Sequence, residues 1–280
     1  LRTRRPGVMA DELVNLFWYA AGVFPGETEV SPFDFAARVQ SAARTGFAGI
    51  SFWHADLAAI CATRSLGEVR RILDDNGIVA CEVAFIEDWY VDGERRAASD
   101  ERRRWLLEAA QALGAPHVKA GDRRNTPGES VRLADEFARL CADAARHGLR
   151  VGYEFMRASF VHRLDACLAM VGDTPNGGLI VDIAHTNAIG IANAEIAALP
   201  ADRIVSVELS DNVRGPKGYD VTARRFCGEG ELDVAGFVTA ARAAGYRGPW
   251  AVEVVNRALR GWTLDRLNET GFQTTLPYVS

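Results

Sequence analysis

Short runs of Val, Ile, Leu and aromatic residues alternate with longer amphipathic segments from residue 13 to the end of the chain. The apolar runs fall at 13–19, 47–53, 78–85, 117–120, 149–155, 179–182, 203–209 and 250–255. Each is short and rich in residues that suit a pleated, buried surface, so each predicts a strand. Helical periodicity marks the stretches between them, at 31–45, 65–76, 99–113, 129–147, 163–171, 192–198, 233–244 and 263–276. Ser31-Pro32 and Ser65-Leu-Gly-Glu68 are N-cap patterns, and Gly46, Gly77, Gly114, Gly148 and Gly245 stand where helix C-caps belong. Strand followed by helix, repeated without a Pro/Gly/Ser-rich break, predicts an α/β protein: a single-domain (β/α)8 TIM barrel over 13–280. Residues 1–12 carry charge but no hydrophobic core of a secretory signal, and read as a leader or cloning remnant.

An open, doubly wound sheet is the alternative arrangement. Such a sheet concentrates its chemistry at one switch point, whereas this chain spreads polar residues over the ends of many strands. No G-x-G-x-x-G follows the first strand. Both features favour the barrel.

Four apolar runs in the second half end in acids: Leu149-Arg-Val-Gly-Tyr-Glu154, Gly178-Leu-Ile-Val-Asp182, Ile204-Val-Ser-Val-Glu208 and Trp250-Ala-Val-Glu253. A buried carboxylate is costly unless paired or coordinated. Four in equivalent places ask for a common counter-charge, and a divalent cation is the simplest one. All-oxygen donors predict Mn²⁺ or Mg²⁺, with Co²⁺, Zn²⁺ or Ca²⁺ as alternatives. Other strand ends add His54, Glu82, Lys119, His185, Asp211 and Arg214 to the same mouth. Singly, each has a plainer reading: a strand-end acid beside an arginine, a surface lysine, a satisfied core histidine. Trp53, Trp89 and Trp250 read as core, or as the floor of a ring-shaped pocket.

Composition narrows the function classes. Net charge is −5, from 32 basic and 37 acidic residues mixed along the chain, so no nucleic-acid partner is expected. No apolar run approaches the ~20 residues that span a bilayer, and membrane partners are not expected. Five cysteines without C-x-x-C spacing fit a reducing, cytoplasmic location.

The series Tyr153-Glu154, Val181-Asp-Ile-Ala-His185, Val207-Glu-Leu-Ser-Asp211, Gly228-Glu-Gly-Glu-Leu-Asp233 and Gly248-Pro-Trp-Ala-Val-Glu253 resembles the xylose-isomerase-like barrel superfamily. That superfamily holds sugar phosphate isomerase/epimerase proteins, ketose 3-epimerases, inosose and 3-dehydroshikimate dehydratases, and endonuclease-IV-like repair enzymes. The resemblance implies metal ligands at Glu154, Asp182, Glu208 and Glu253. It implies substrate contacts at His185 and Arg214, with Lys119 and His54 orienting hydroxyls. Glu208 departs from the pattern: ketose epimerases usually carry histidine there and several dehydratase-type members glutamine. Five histidines and an acidic balance do not supply the endonuclease branch. The resemblance therefore implies a metal-dependent isomerase or epimerase on a sugar, keto-sugar or cyclitol, with Glu154 and Glu253 as acid/base pair. A lyase or dehydratase sharing the same first half-reaction is the alternative, and a non-catalytic partner subunit the third. Dimers or tetramers are common in the family. Residues 212–228 form a long βα connection, expected to be a lid or a subunit contact.

Overall fold

The computed structural model describes residues 12–24 and 26–280; the expected leader, apart from Glu12, lies outside them. The strands are β1 (Leu13–Asn15), β2 (Gly49–Trp53), β3 (Val79–Ile86), β4 (His117–Gly121), β5 (Arg150–Glu154), β6 (Gly177–Asp182), β7 (Ile204–Leu209), β8 (Arg214–Gly215), β9 (Gly218–Tyr219) and β10 (Trp250–Val252). All but β8 and β9 pair in parallel, in the order β1 to β7 and then β10, which returns to β1. That closure rules out the open sheet. β8 and β9 form a small antiparallel hairpin inside the 212–228 connection.

Helices follow the strands where periodicity predicts them, among them Leu66–Asp75, Ser130–Ala145 and Leu264–Val279. The Ser65–Glu68 capping box forms as read: Ser65 Oγ accepts from the Glu68 N–H, and the Glu68 carboxylate accepts from the Ser65 N–H. The 13–19 run is not one strand. It stops at Asn15, and a short helix, Phe17–Ala21, follows. A run apolar throughout has no period to separate a buried strand from a buried helix, so the pattern does not mark where one gives way to the other.

Between strands and helices lies an apolar layer that includes Phe47, Val69, Leu106, Phe137, Phe237 and Leu267. The barrel interior differs. Small apolar residues (Val14, Leu16, Ala48, Cys81 and Ala251) pack together there, and the same space also admits charge. Ile50 pairs with Ala80 but Ser51 pairs with Glu82, so Cys81 is an extra residue in β3. This bulge lets Cys81 pack with Val14, Leu16 and Ala251 while its neighbour Glu82 reaches Lys119 on the same side, which strict alternation would forbid.

Candidate metal centre

Parallel register carries the acids to one level. Asp182 pairs with Glu208 across β6 and β7, and Glu208 pairs with Ala251 of β10, two residues before Glu253. Glu154 ends β5. Glu154, Asp182, Glu208 and Glu253 each present an oxygen within 4.8 Å of the others, and all four are buried.

Two cations reach this cage. Lys119 Nζ, from β4, lies 2.6 Å from Glu208 Oε1, 3.3 Å from Glu253 Oε1, 3.5 Å from Glu82 Oε1 and 3.8 Å from Glu154 Oε1. Arg224 Nη1 lies 2.8 Å from Asp182 Oδ2 and 2.6 Å from Glu253 Oε2. Trp18 Nε1 donates to Glu253 Oε1 at 3.0 Å. Arg224 Nη2 lies 3.1 Å from His185 Nε2. A guanidinium can only donate, so that nitrogen accepts and the imidazole proton sits on Nδ1. Beneath, His117 Nε2 meets Glu82 Oε2 at 3.1 Å.

The donor set fits a divalent ion. Five buried carboxylates, Glu82 included, face two fixed cations, which leaves the cluster acidic. Glu208 Oε2 is buried without a hydrogen-bond partner among the described residues, the kind of orphaned atom an ion would satisfy. Oxygen donors from four separate strands match a hard cation.

The electrostatics divide the acids. Burial pushes Glu154 up to about 8 and Asp182 up to about 6, against the pull of Lys119 and Arg224 respectively. Burial, with Glu253 nearby, also raises Glu208 well above the carboxylate range. Burial works on Glu253 too, but Lys119 and Arg224 outweigh it and hold it well below that range. Burial and then Arg224 keep His185 neutral. Burial opposes charge on Lys119, yet the surrounding carboxylates, Glu154 first, raise its pKa.

Above the cage opens a cavity of about 520 Å³. Its walls include Trp18, Trp53, Phe85, Met156, Tyr219 and Val255, and its polar lining comprises Lys119, Arg123, Glu154, Arg157, His185, Thr222, Arg224 and Glu253. Arg123 is held by both oxygens of Glu87.

Seven residues named from the sequence therefore meet: Glu82, Lys119, Glu154, Asp182, His185, Glu208 and Glu253. Three do not join them. His54 starts the helix His54–Cys61, stacks on Trp53 at 4.4 Å and is absent from the cavity lining. Arg214 lies exposed on the hairpin, its guanidinium over the Tyr219 ring. Arg224 takes the inner place. Asp211 pairs its backbone with Arg225 and accepts the N–H groups of Gly228, Gly230 and Leu232, folding the long connection back over the barrel. Asp211 is thus a loop anchor. Trp89 and Trp250 are core.

A family model described as "Xylose isomerase-like TIM barrel" matches residues 39–274. The 3-dehydroshikimate dehydratase of Pseudomonas aeruginosa is 30% identical over 234 residues, which cover 80% of this chain and 36% of that protein. The chain thus spans well under half of that relative. Among solved structures, an IOLI protein with a bound zinc atom is 17% identical with a TM-score of 0.85, covering 96% of this chain and 98% of that one. A D-allulose 3-epimerase from Methylomonas sp. is 18% identical with a TM-score of 0.69, covering 95% and 97%. At such identities these two show a shared fold.

Proposed function

The chain belongs to the xylose isomerase-like TIM-barrel family, and from that premise we propose that it is a divalent-metal-dependent lyase that dehydrates a hydroxylated ketone. The observation that carries this reading is the convergence of Glu154, Asp182, Glu208 and Glu253 at the floor of an aromatic-walled cavity. These four residues would hold Mn²⁺ or Mg²⁺, which supplies Lewis-acid polarisation of a substrate carbonyl when bound.

The chain's own groups divide the remaining work. Glu154 borders the cavity, and the nearby nitrogens of Lys119 and His185 stand 3.8 Å and 3.6 Å from its Oε1, beyond hydrogen-bond distance, so it has lone pairs to take the proton next to the carbonyl. Glu253, tied to Trp18, Lys119 and Arg224, is the anchored member of the acid pair. Trp18, Trp53 and Phe85 offer flat faces to a ring and keep bulk water away. Arg157 and Arg123 at the wall suit a substrate that also bears an acid group. The proton taken by Glu154 passes to the hydroxyl β to the carbonyl as its C–O bond breaks, so that water leaves and the elimination is complete.

Support for lyase over isomerase comes from the dehydratase relative, which is more similar in sequence than the epimerase neighbour. Glu208, at the position where epimerases usually carry histidine, points the same way. Isomerisation or epimerisation is the second reading. It is favoured by the placement of Glu154 and Glu253 together at the cavity floor, where a proton could be removed and returned.

The test is a panel of 3-dehydroshikimate, an inosose and keto-sugars in deuterated water, with chelator and then with Mn²⁺ restored. A chelator-sensitive rise in absorbance from a conjugated product is the expected result. Deuterium uptake without elimination would establish the isomerase reading, and inertness towards every compound with every metal would overturn both. Glu154→Gln at saturating Mn²⁺ is expected to lose about 10²–10⁴-fold in rate.

A further inference from the structure

All but two of the 32 basic residues in this chain are arginine. Of the two lysines, Lys217 is exposed and Lys119 ends at the centre of the barrel, fully buried. Its ammonium touches three of the four candidate metal ligands, Glu154, Glu208 and Glu253, and is closest to Glu208. One oxygen of Glu208 faces Lys119, and the other has no hydrogen-bond partner among the described residues. An ammonium is a compact point charge that can sit among several carboxylates, where a planar guanidinium would be confined to a fork.

A second acid lies within reach. Glu82 Oε2 meets His117, while its Oε1, 3.5 Å from Lys119 Nζ, is buried and accepts no hydrogen bond among the described residues. Among the described residues, Glu82 joins no set of acids and histidines close enough to share an ion. It stands inside the barrel because of the bulge at Cys81.

Resting on the metal-dependent reading above, we propose that Lys119 is a resident counter-ion of the carboxylate cage. Its ammonium occupies the Glu208 side of the cage in the metal-free protein and shifts towards Glu82 when a divalent ion binds, so the lysine sets how tightly the cage takes metal. The ammonium and a dication repel at these separations, and both seek the same oxygens. Removing the lysine removes the competitor. By the same linkage it leaves buried carboxylates uncompensated when no metal is present.

The test pairs calorimetric titration of Mn²⁺ into wild type and Lys119→Met with NMR of the wild-type protein carrying ¹⁵N-lysine, titrated with diamagnetic Zn²⁺. Lys119→Met is expected to bind Mn²⁺ at least about ten-fold tighter and to melt at a lower temperature without metal. The Lys119 ammonium resonance is expected to move on Zn²⁺ binding while that of Lys217 stays. Equal or weaker Mn²⁺ binding by a folded variant overturns the proposal and leaves the metal-dependent reading standing. A Lys119 resonance that stays in place while Zn²⁺ binds stoichiometrically does the same, and needs no variant to fold. Absence of metal binding by wild type overturns both.

Discussion

Glu154 and Glu253 are the same residue type a few ångströms apart, yet their surroundings drive them in opposite directions. Glu253 is held by Trp18, Lys119 and Arg224 and stays ionised. Glu154 has looser partners, and burial lifts it to about 8. Environments that push two carboxyls apart commonly separate their roles in proton transfer. The same difference has a consequence for stability. A carboxyl raised in the folded state holds a proton that the unfolded chain has already released, so stability falls as pH rises between the unfolded and folded values. Asp182, at about 6, and the raised Glu208 act in the same sense. Below about pH 6.5, His185 and His54, both depressed by burial, oppose them, since they favour the folded state as pH rises. The window from about 6.5 to about 8 is therefore the clean one for Glu154. Metal-free protein is expected to lose stability there, by about 1.4 kcal/mol per pH unit for each such group. Urea unfolding in chelator at a series of pH values checks this, and Glu154→Gln should flatten the slope. A stability that climbs with pH across that window would show that Glu154 is not held protonated.

Strands, bulges and one folded-back connection place these side chains, and they differed in how far the sequence disclosed them. The acids of β5, β6, β7 and β10 were legible because an apolar run ending in a carboxylate is a local pattern, and parallel pairing carries such ends to one level. The bulge at Cys81 was not legible, since nothing in Val79-Ala-Cys-Glu82 announces a register shift that only the partner strand defines. Arg224 was missed for a related reason. It lies in a loop with no period, and Arg214 stood at the spacing the resemblance implied. What brings Arg224 inward is the Asp211 carboxylate, together with the Arg224 N–H donating to Val255 O and Asn256 Nδ2 donating to Arg224 O. Gly230 belongs to the same device, because a Cβ there would collide with the Asn212 carbonyl and the Asp211 carboxylate. Asp211→Ala is expected to cost about 1–3 kcal/mol through stranded N–H groups and to open 212–228 to limited proteolysis. Activity should fall with it, because Arg224 would no longer be held against Asp182 and Glu253. An unaltered digestion pattern would show that the loop holds itself without Asp211.

At the scale of the whole molecule, the barrel carries its charge where such barrels usually carry packed apolar side chains. Glu82, Glu154, Asp182, Glu208 and Glu253 are all buried, and Lys119 and Arg224 supply the fixed positive charge against them. The outer layer between strands and helices is apolar and continuous, so the fold does not depend on the cluster for its hydrophobic core. It is, however, strained electrostatically at its axis, as the raised Glu154, Asp182 and Glu208 show. An ion that binds the folded state alone stabilises it by mass action, about 2.7 kcal/mol at one hundred times its dissociation constant. Mn²⁺ is therefore expected to raise the unfolding midpoint in a concentration-dependent way, and chelator to reverse the rise. The gain should grow with pH, because at low pH the ion must displace protons from the same oxygens. In Glu208→Gln the pH dependence of the gain should shrink, since one of the raised carboxyls is gone. Thermal unfolding over a grid of Mn²⁺ concentration and pH measures both effects. A midpoint indifferent to Mn²⁺ at pH 8 would mean that Lys119 and Arg224 alone balance the axis, and that the cage is a closed ion network instead of a metal site.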